Sequence, residues 1–504
     1  MSSQTFDIKK RNILPRWNRF STACLIGDTL PVRMREDVVE GSDEILNKSR
    51  KWALSKHPSD ALDLIGSCMV LNTWDNVVAK EAASYIANHP ADFSSAAKEM
   101  AGLYISDPNT RSRGKLEAIL APRDTHGEIN RLRRHVTAFP RDAIMWADLA
   151  YSYAVIGLEK KARKAMRTAY ALSPFNRFVV RSAARCFAHF GDPDEAIWCI
   201  QKSPLRNTDP MVISAEVALW RLINKSPRNI KTAQSAISSG LYSNRNLSEL
   251  YIALATLESI DGSIRAAKKH VEKSLLDPNE NVLAQVQSLS ARVSGILRKM
   301  ELPSNITATY EADAQRSYKD ENFEEAYRFA LLWFNYQPFS ARPAVQASFI
   351  ASLFFNDQEA AIQVIKRAKK AEPRSFLLNN NYACSLALLN RTKEAADVLA
   401  EIDLAELDEQ KKRVYTATSG LVAYRNGDVV LGEEKYRQAI EGFKKDMNYR
   451  GIAIAAYYQA REIDRISGGS QPSAVDEVLA FAKRYKINDL AHAIERKNHQ
   501  NKID

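Results

Sequence analysis

Arg177, Arg181 and Arg185 fall at i, i+4 and i+8 of an apolar-periodic stretch, a spacing that lines three guanidinium groups along one face of a helix. Guanidinium forks bind carboxylate or phosphate bidentately, so the stripe predicts an anion-facing surface. It belongs to a wider excess. From Asn109 to Arg185 the chain carries sixteen Lys or Arg, beginning with Arg111, Arg113, Lys115 and Arg123, against six acids, which is nearly all of its net charge of +11. Within this window Arg131, Arg133, Arg134, Lys160, Lys164 and Arg167 predict a basic surface. Its complement is nucleic acid, an acidic peptide or an acidic protein face, or else it is a solvated helix face that serves solubility.

Catalytic signals are sparse. The chain has no glycine-rich phosphate loop, no G-x-G-x-x-G, no G-x-S-x-G elbow and no H-E-x-x-H. Cys186 and His189, three apart, offer half of a metal site, and no second ligand pair follows at suitable spacing. Cys186 adjoins the apolar Phe187 and reads better as a small buried hydrophobe. The expectation is a protein without catalysis, cofactor or metal.

The elements that position these residues are repeats. Trp146, Leu149, Ala150 and Tyr153 recur at three and four, as one stripe of a helix does. Gly157 permits a turn, Ala162 and Ala169 are small enough for close helix approach around Met166, and Pro174 ends the second helix. The plan returns 34 residues on, with Ala183, Ala184, Phe187, Gly191 and Ala196. Further copies run through Tyr251, Ala255, Gly262 and Ala267, then Tyr310, Ala314, Phe323, Ala326 and Pro338, then Phe349, Asn356, Ala361 and Pro373, then Ala383, Leu386, Asn390 and Ala395, and a late one holds Gly420, Gly427, Tyr436 and Ala439. The segment from Met211 to Gly240 fits loosely.

This pattern resembles the tetratricopeptide repeat, with its W-x2-L-G-x2-Y, A-x3-F, A, P signature, over roughly residues 140–445. The resemblance implies an all-α solenoid of antiparallel helix pairs with a concave groove that holds a peptide, lined by the fifth, sixth and ninth residues of each first helix. On that geometry Arg181 and Arg185, with Arg177 one turn before, face the groove, as do Asp148 and Tyr151 in the first copy. Asn380 and Asn381 take the fifth and sixth places of the copy that starts near Phe376; an Asn there pairs with a ligand backbone in several relatives, or else caps a helix start. The chain departs from the Lys and Asn combination by which chaperone-binding relatives clamp a terminal carboxylate, so chaperone binding is not expected. Arg265 and His270 fit the R-x4-H spacing of helical nucleases of the HEPN class, but they flank Ala267 of a repeat helix, which favours coincidence.

Around the repeats, residues 1–50 read as an extended arm carrying Pro15, Gly27, Pro31 and Gly41. Through Ile13, Leu14, Trp17 and Phe20 it either packs back on the first helices or docks a partner. Residues 51–125 read as helical, degenerate repeats or a cap. Two arrays follow at 126–300 and 301–467, and 468–504 should form capping helices with a polar tail. The first 30 residues lack the apolar core of a signal peptide, and no stretch approaches ~20 unbroken apolar residues. Five scattered cysteines suit reduced thiols and a cytoplasmic setting. The function expected is that of an adaptor or scaffold for a protein or peptide partner, an acidic one being the complement of the arginines. Nucleic-acid binding through residues 109–185 is the alternative, and a helical nuclease of unfamiliar type stands third. No membrane partner is expected.

Overall fold

The computed structural model describes residues 11–25, 41–70, 76–89, 93, 95–105, 124–293, 295–297, 302–303, 306–468 and 474–500. Twenty-six α-helices and no strand occur among them. From Ala143 onward they alternate as first and second helices of antiparallel pairs: Ala143–Val155 with Glu159–Leu172, Arg177–His189 with Pro193–Lys202, Pro210–Leu222 with Ile230–Ser238, and Asn244–Ile260 with Ile264–Ser274. Glu280–Arg292 has no long second helix among the described residues; Ile296, buried with Val286 and Leu289, takes that place. The pairing resumes with Tyr310–Lys319 and Phe323–Tyr336, Ala341–Leu353 and Gln358–Lys369, Phe376–Leu388 and Thr392–Ala400, and Glu409–Arg425 and Val429–Lys445. Tyr449–Ser467, Ala474–Arg484 and Asn488–Gln500 end the chain. This is the all-α solenoid that the repeat pattern implies.

Each turn between paired helices calls for a left-handed residue. Glycine supplies it at Gly157 (φ 72°), Gly191 (φ 74°), Gly262 (φ 83°) and Gly427 (φ 90°), and asparagine, the side chain best suited to that region after glycine, at Asn224, Asn356 and Asn390. Copies that look degenerate in sequence therefore keep the same backbone. The segment 211–240 is one of them. Helix starts are capped by short acceptors: Asp142 takes the Met145 N–H, Asn176 the Val179 N–H and Asp192 the Glu195 N–H. Ala162 and Ala169, both 0% exposed, let the helices close on one another.

The solenoid turns back on itself. Phe339, ahead of the seventh first helix, Ala341–Leu353, is buried with Tyr151, Val180 and Ala184 of the first two pairs, and its ring meets Tyr151 at 5.8 Å edge to face. A Cβ on Gly157 would overlap the Lys370 carbonyl. The first helices thus wall a channel whose two sides are nearly 200 residues apart in sequence. The C-terminal helices repeat the device. Tyr318 donates to Asp489 Oδ2 at 2.5 Å, Arg450 reaches the same carboxylate at 2.5 Å, and His492 lies edge-on to Phe323. Residues 45–104 enclose a separate small core around Trp52, Leu64, Ile86 and Tyr104.

Candidate peptide channel

The channel of the first turn holds the chain's own N-terminal segment. Residues 11–19 run through it without helix and end in the short helix Phe20–Leu25. Polar side chains from several first helices grip this arm. Arg11 donates to Glu311 through Nε (3.0 Å) and Nη2 (3.2 Å), to Gln285 Oε1 (2.8 Å) and to Asn281 Oδ1 (2.5 Å). Arg16 donates to Glu280 (3.0 Å) and Glu311 (2.7 Å). Asn12 donates to the Ala218 carbonyl at 2.6 Å, the Leu14 carbonyl accepts from Asn281 Nδ2 at 3.1 Å, and the Phe20 N–H donates to Asp148 Oδ1 at 2.8 Å. The Asn18 amide lies 2.9 Å from the Tyr336 hydroxyl, which donates to Glu280.

Apolar contacts seat the arm further. Trp17 is 0% exposed between Tyr151 (5.7 Å), Phe339 (5.1 Å) and His189 (6.4 Å). Ile13 joins Val217, Ala218 and Ile252, and Phe20 stacks edge-on against Phe178. Ile13, Leu14, Trp17 and Phe20 do pack back, but across the concave interior rather than along the first helices alone. The part of the expected 1–50 arm from 41 onward is helical, and residues 26–40 lie outside the described residues.

The electrostatics follow from this burial. Burial opposes the charge on Glu311, but Arg11, Arg16 and Arg342 more than offset it and hold the carboxyl well below its usual range. Burial likewise opposes the Arg16 charge, which Glu311 and Glu280 restore. Asp148 differs. Burial outweighs its Phe20 N–H bond and the nearby Arg19, and pushes it up to about 7. His189 is driven down to about 3 by burial and then by Arg185.

Of the residues singled out from sequence, Asp148 and Tyr151 line the channel and touch the arm. Arg177 and Arg181 do not form an open cationic stripe. Arg177 donates to Asp209 at 2.5 Å and Asn246 at 2.8 Å; Arg181 forks onto Glu249 at 2.9 and 3.0 Å, and all are buried. They tie the second first helix to the two that follow it, to Asp209 ahead of Pro210–Leu222 and to Asn246 and Glu249 of Asn244–Ile260, because burying a guanidinium is costly unless a carboxylate meets it. Arg185 is partly buried, stands over the Phe339 ring at 5.2 Å and faces a cavity. Asn381 donates to Ser348 at 3.3 Å, and Asn380 is 0% exposed, with both amide atoms lacking a partner among the described residues.

On the outer face Arg133, Arg134, Lys160 and Lys164 are exposed. Arg131 is tied to Glu128 and Arg167 to Glu195. Arg111, Arg113, Lys115 and Arg123 lie outside the described residues. Cys186 is 0% exposed in the core, and among the described residues no three metal-ligating side chains cluster. Arg265 is exposed, while His270 lies against Tyr251 at 5.9 Å.

The residues that hold the arm, Glu280, Asn281, Gln285 and Glu311, escaped the sequence reading. Their signal is a 31-residue interval, Glu249, Glu280, Glu311 and then Arg342, which sets a charged side chain near the start of four successive first helices.

No protein-family model and no curated protein matches this chain. Solved structures similar to it include the APC/C hetero-tetramer Cut9-Hcn1, at 12% identity with 92% of each chain covered and a TM-score of 0.37. Yeast Tom70 follows at 14% identity, 77% of this chain and 95% of that one, TM-score 0.25. Naa15/Naa10 bound to HypK-THB gives 14% identity, 88% and 73%, TM-score 0.20. With its stacked antiparallel pairs, left-handed inter-helix turns and repeated small residues, the chain is an α-solenoid of helix pairs, the architecture that its resemblance to the tetratricopeptide repeat implies.

Proposed function

We propose that this protein is a non-enzymatic adaptor that holds a non-helical peptide segment in its concave channel. One observation carries this reading: residues 11–20 lie there, held through both side chains and main chain by residues of the first helices. The chemistry of that occupant is informative. Arg11-Asn12-x-x-x-Arg16-Trp17-Asn18 is basic and aromatic, and the walls answer it with Glu280, Glu311 and an aromatic slot. The first turn of the channel therefore suits a cationic segment rather than an acidic one. A partner segment of the same pattern would take the arm's place, or the arm would remain as a fixed wall for a partner bound farther along.

The test is exchange. A protease site placed within residues 26–40 is cut after folding, and the chain is challenged with a labelled peptide of residues 9–25. Saturable uptake that is lost in Glu311→Lys supports a peptide channel. Failure to exchange, together with RNA binding that weakens steeply with salt and is lost on removing Arg133, Arg134, Lys160 and Lys164, would overturn it in favour of a nucleic-acid surface.

A further inference from the structure

The arm does not fill the channel. Beside it remains a cavity of about 480 Å³, bounded by Arg11 and Arg16 of the arm, by Arg185 of the second pair and, across the channel, by Arg342, Gln315 and Lys411. Lys411 is satisfied by Asp408 at 3.0 Å. The guanidinium groups are not evenly matched. Arg11, Arg16 and Arg342 all reach the single carboxylate of Glu311, and only Arg16 has a second, Glu280.

Arg185 has no hydrogen bond or ion pair among the described residues and stands over the Phe339 ring. The carboxylate that acts on it, Glu372, is engaged by the Ala341 N–H at 3.1 Å and pushed toward its neutral form by burial. Gln315 adds a buried amide oxygen with no partner among the described residues, an acceptor that a ligand hydroxyl and not an anionic oxygen would satisfy. A surplus of partly buried positive charge around a concave space costs free energy that an anion recovers, because charge-assisted hydrogen bonds are short and strong where water is scarce.

We propose that this cavity binds a small organic polyanion bearing phosphate or carboxylate groups, with Arg185 and Arg342 as its main donors. A small molecule fits better than an acidic polypeptide. The docked arm forms one wall of this half-open pocket, whose volume lies within the size range of small-molecule sites. Arg11 and Arg16 belong to that wall, so the site rests on the docked arm but not on any partner in the channel.

Calorimetry on the intact chain tests this, with pyrophosphate and citrate as probes against sodium chloride at matched ionic strength. Sub-millimolar binding of either, weakened at least tenfold by Arg185→Gln, is expected. Pyrophosphate alone would point to a phosphate ligand and citrate alone to a carboxylate one. Arg342→Gln alters a side chain 46% exposed, a milder change to the fold than at Arg185, and should weaken binding at least threefold. Binding no tighter than chloride, or unchanged in both variants, overturns the proposal; so does Arg185-dependent binding of an oligoglutamate peptide with neither small anion bound. If the peptide 9–25 exchanges while no anion binds, the cavity reading fails and the adaptor reading stands. The reverse pair of results separates them the other way.

Discussion

Glu311→Gln should release the arm. Glu311 is 2% exposed and accepts from Arg11 at 3.0 and 3.2 Å, from Arg16 at 2.7 Å and from Arg342 at 3.1 Å. A neutral amide keeps the volume but removes the charge and sets an NH₂ against donors. Arg16 retains Glu280, whereas Arg11 is left with the neutral Gln285 and Asn281. Breaking a buried ion pair on one side costs about 3–5 kcal/mol. Gln285 and Asn281 continue to hydrogen-bond Arg11, which places the cost toward the lower end. Because the arm is a tethered segment, the loss falls on its docking rather than on the solenoid, and each 1.4 kcal/mol is tenfold, so the undocked population should rise roughly 10²- to 10³-fold. Hydrogen exchange at the Phe20 amide reads this directly, since its acceptor, Asp148, belongs to the channel wall and not to the arm. Cleavage after Arg16 or Arg19 by a trypsin-like protease gives a second measure. Exchange at Phe20 within threefold of wild type in Glu311→Gln would refute the view that the buried cluster holds the arm.

Three further outcomes follow. Gly157→Ala meets both a left-handed φ and the Lys370 carbonyl, whereas Gly191→Ala has the same φ and open space; the latter should cost about 1–2 kcal/mol and the former clearly more, with equal thermal shifts counting against closure of the first turn on residues 337–372. Asp148 has its folded pKa raised to about 7 by burial, so the native state binds more protons than the unfolded chain between pH 4 and 7 and this group's contribution falls as pH rises through that window. Asp148→Asn should therefore be less sensitive to pH than wild type from pH 5 to 8 in paired denaturant titrations, and parallel curves would contradict the assignment. Arg181→Ala leaves Glu249, 1% exposed, with only Asn279 and Asn281, and should lower stability by about 3–5 kcal/mol; a melting curve matching wild type would show that the pair is not buried in solution.

The repeat plan was legible because it is local. A stripe at three and four, a left-handed turn and a small residue facing the partner helix are demands of one helix pair, so Trp146, Gly157, Ala162 and Pro174 announce the architecture without reference to the rest of the chain. The same logic misled at Arg177 and Arg181. Helical spacing places them on one face correctly, but the carboxylates that neutralise them, Asp209 and Glu249, sit 32 and 68 residues away, beyond the reach of periodicity. Asp148 and Tyr151 were placed on the groove face by the same register, and there the structure sets the arm against them.

The sequence by itself determined the element type, the pairing of neighbours and which face of each helix is apolar, since those depend on residues within one repeat length. What occupies the channel was decided only in three dimensions. The curvature accumulated over six pairs brings Phe339 and Lys370 back to the first pair and closes a chamber around residues 11–20. Arg11 and Arg16, two ordinary basic residues in a Pro-containing segment, become a buried ion-pair cluster because Glu280 and Glu311, 264 to 300 positions later, arrive at the same point. Small rotations per repeat, each set by how two helices interlock, add up to that meeting, and no single repeat carries the sum.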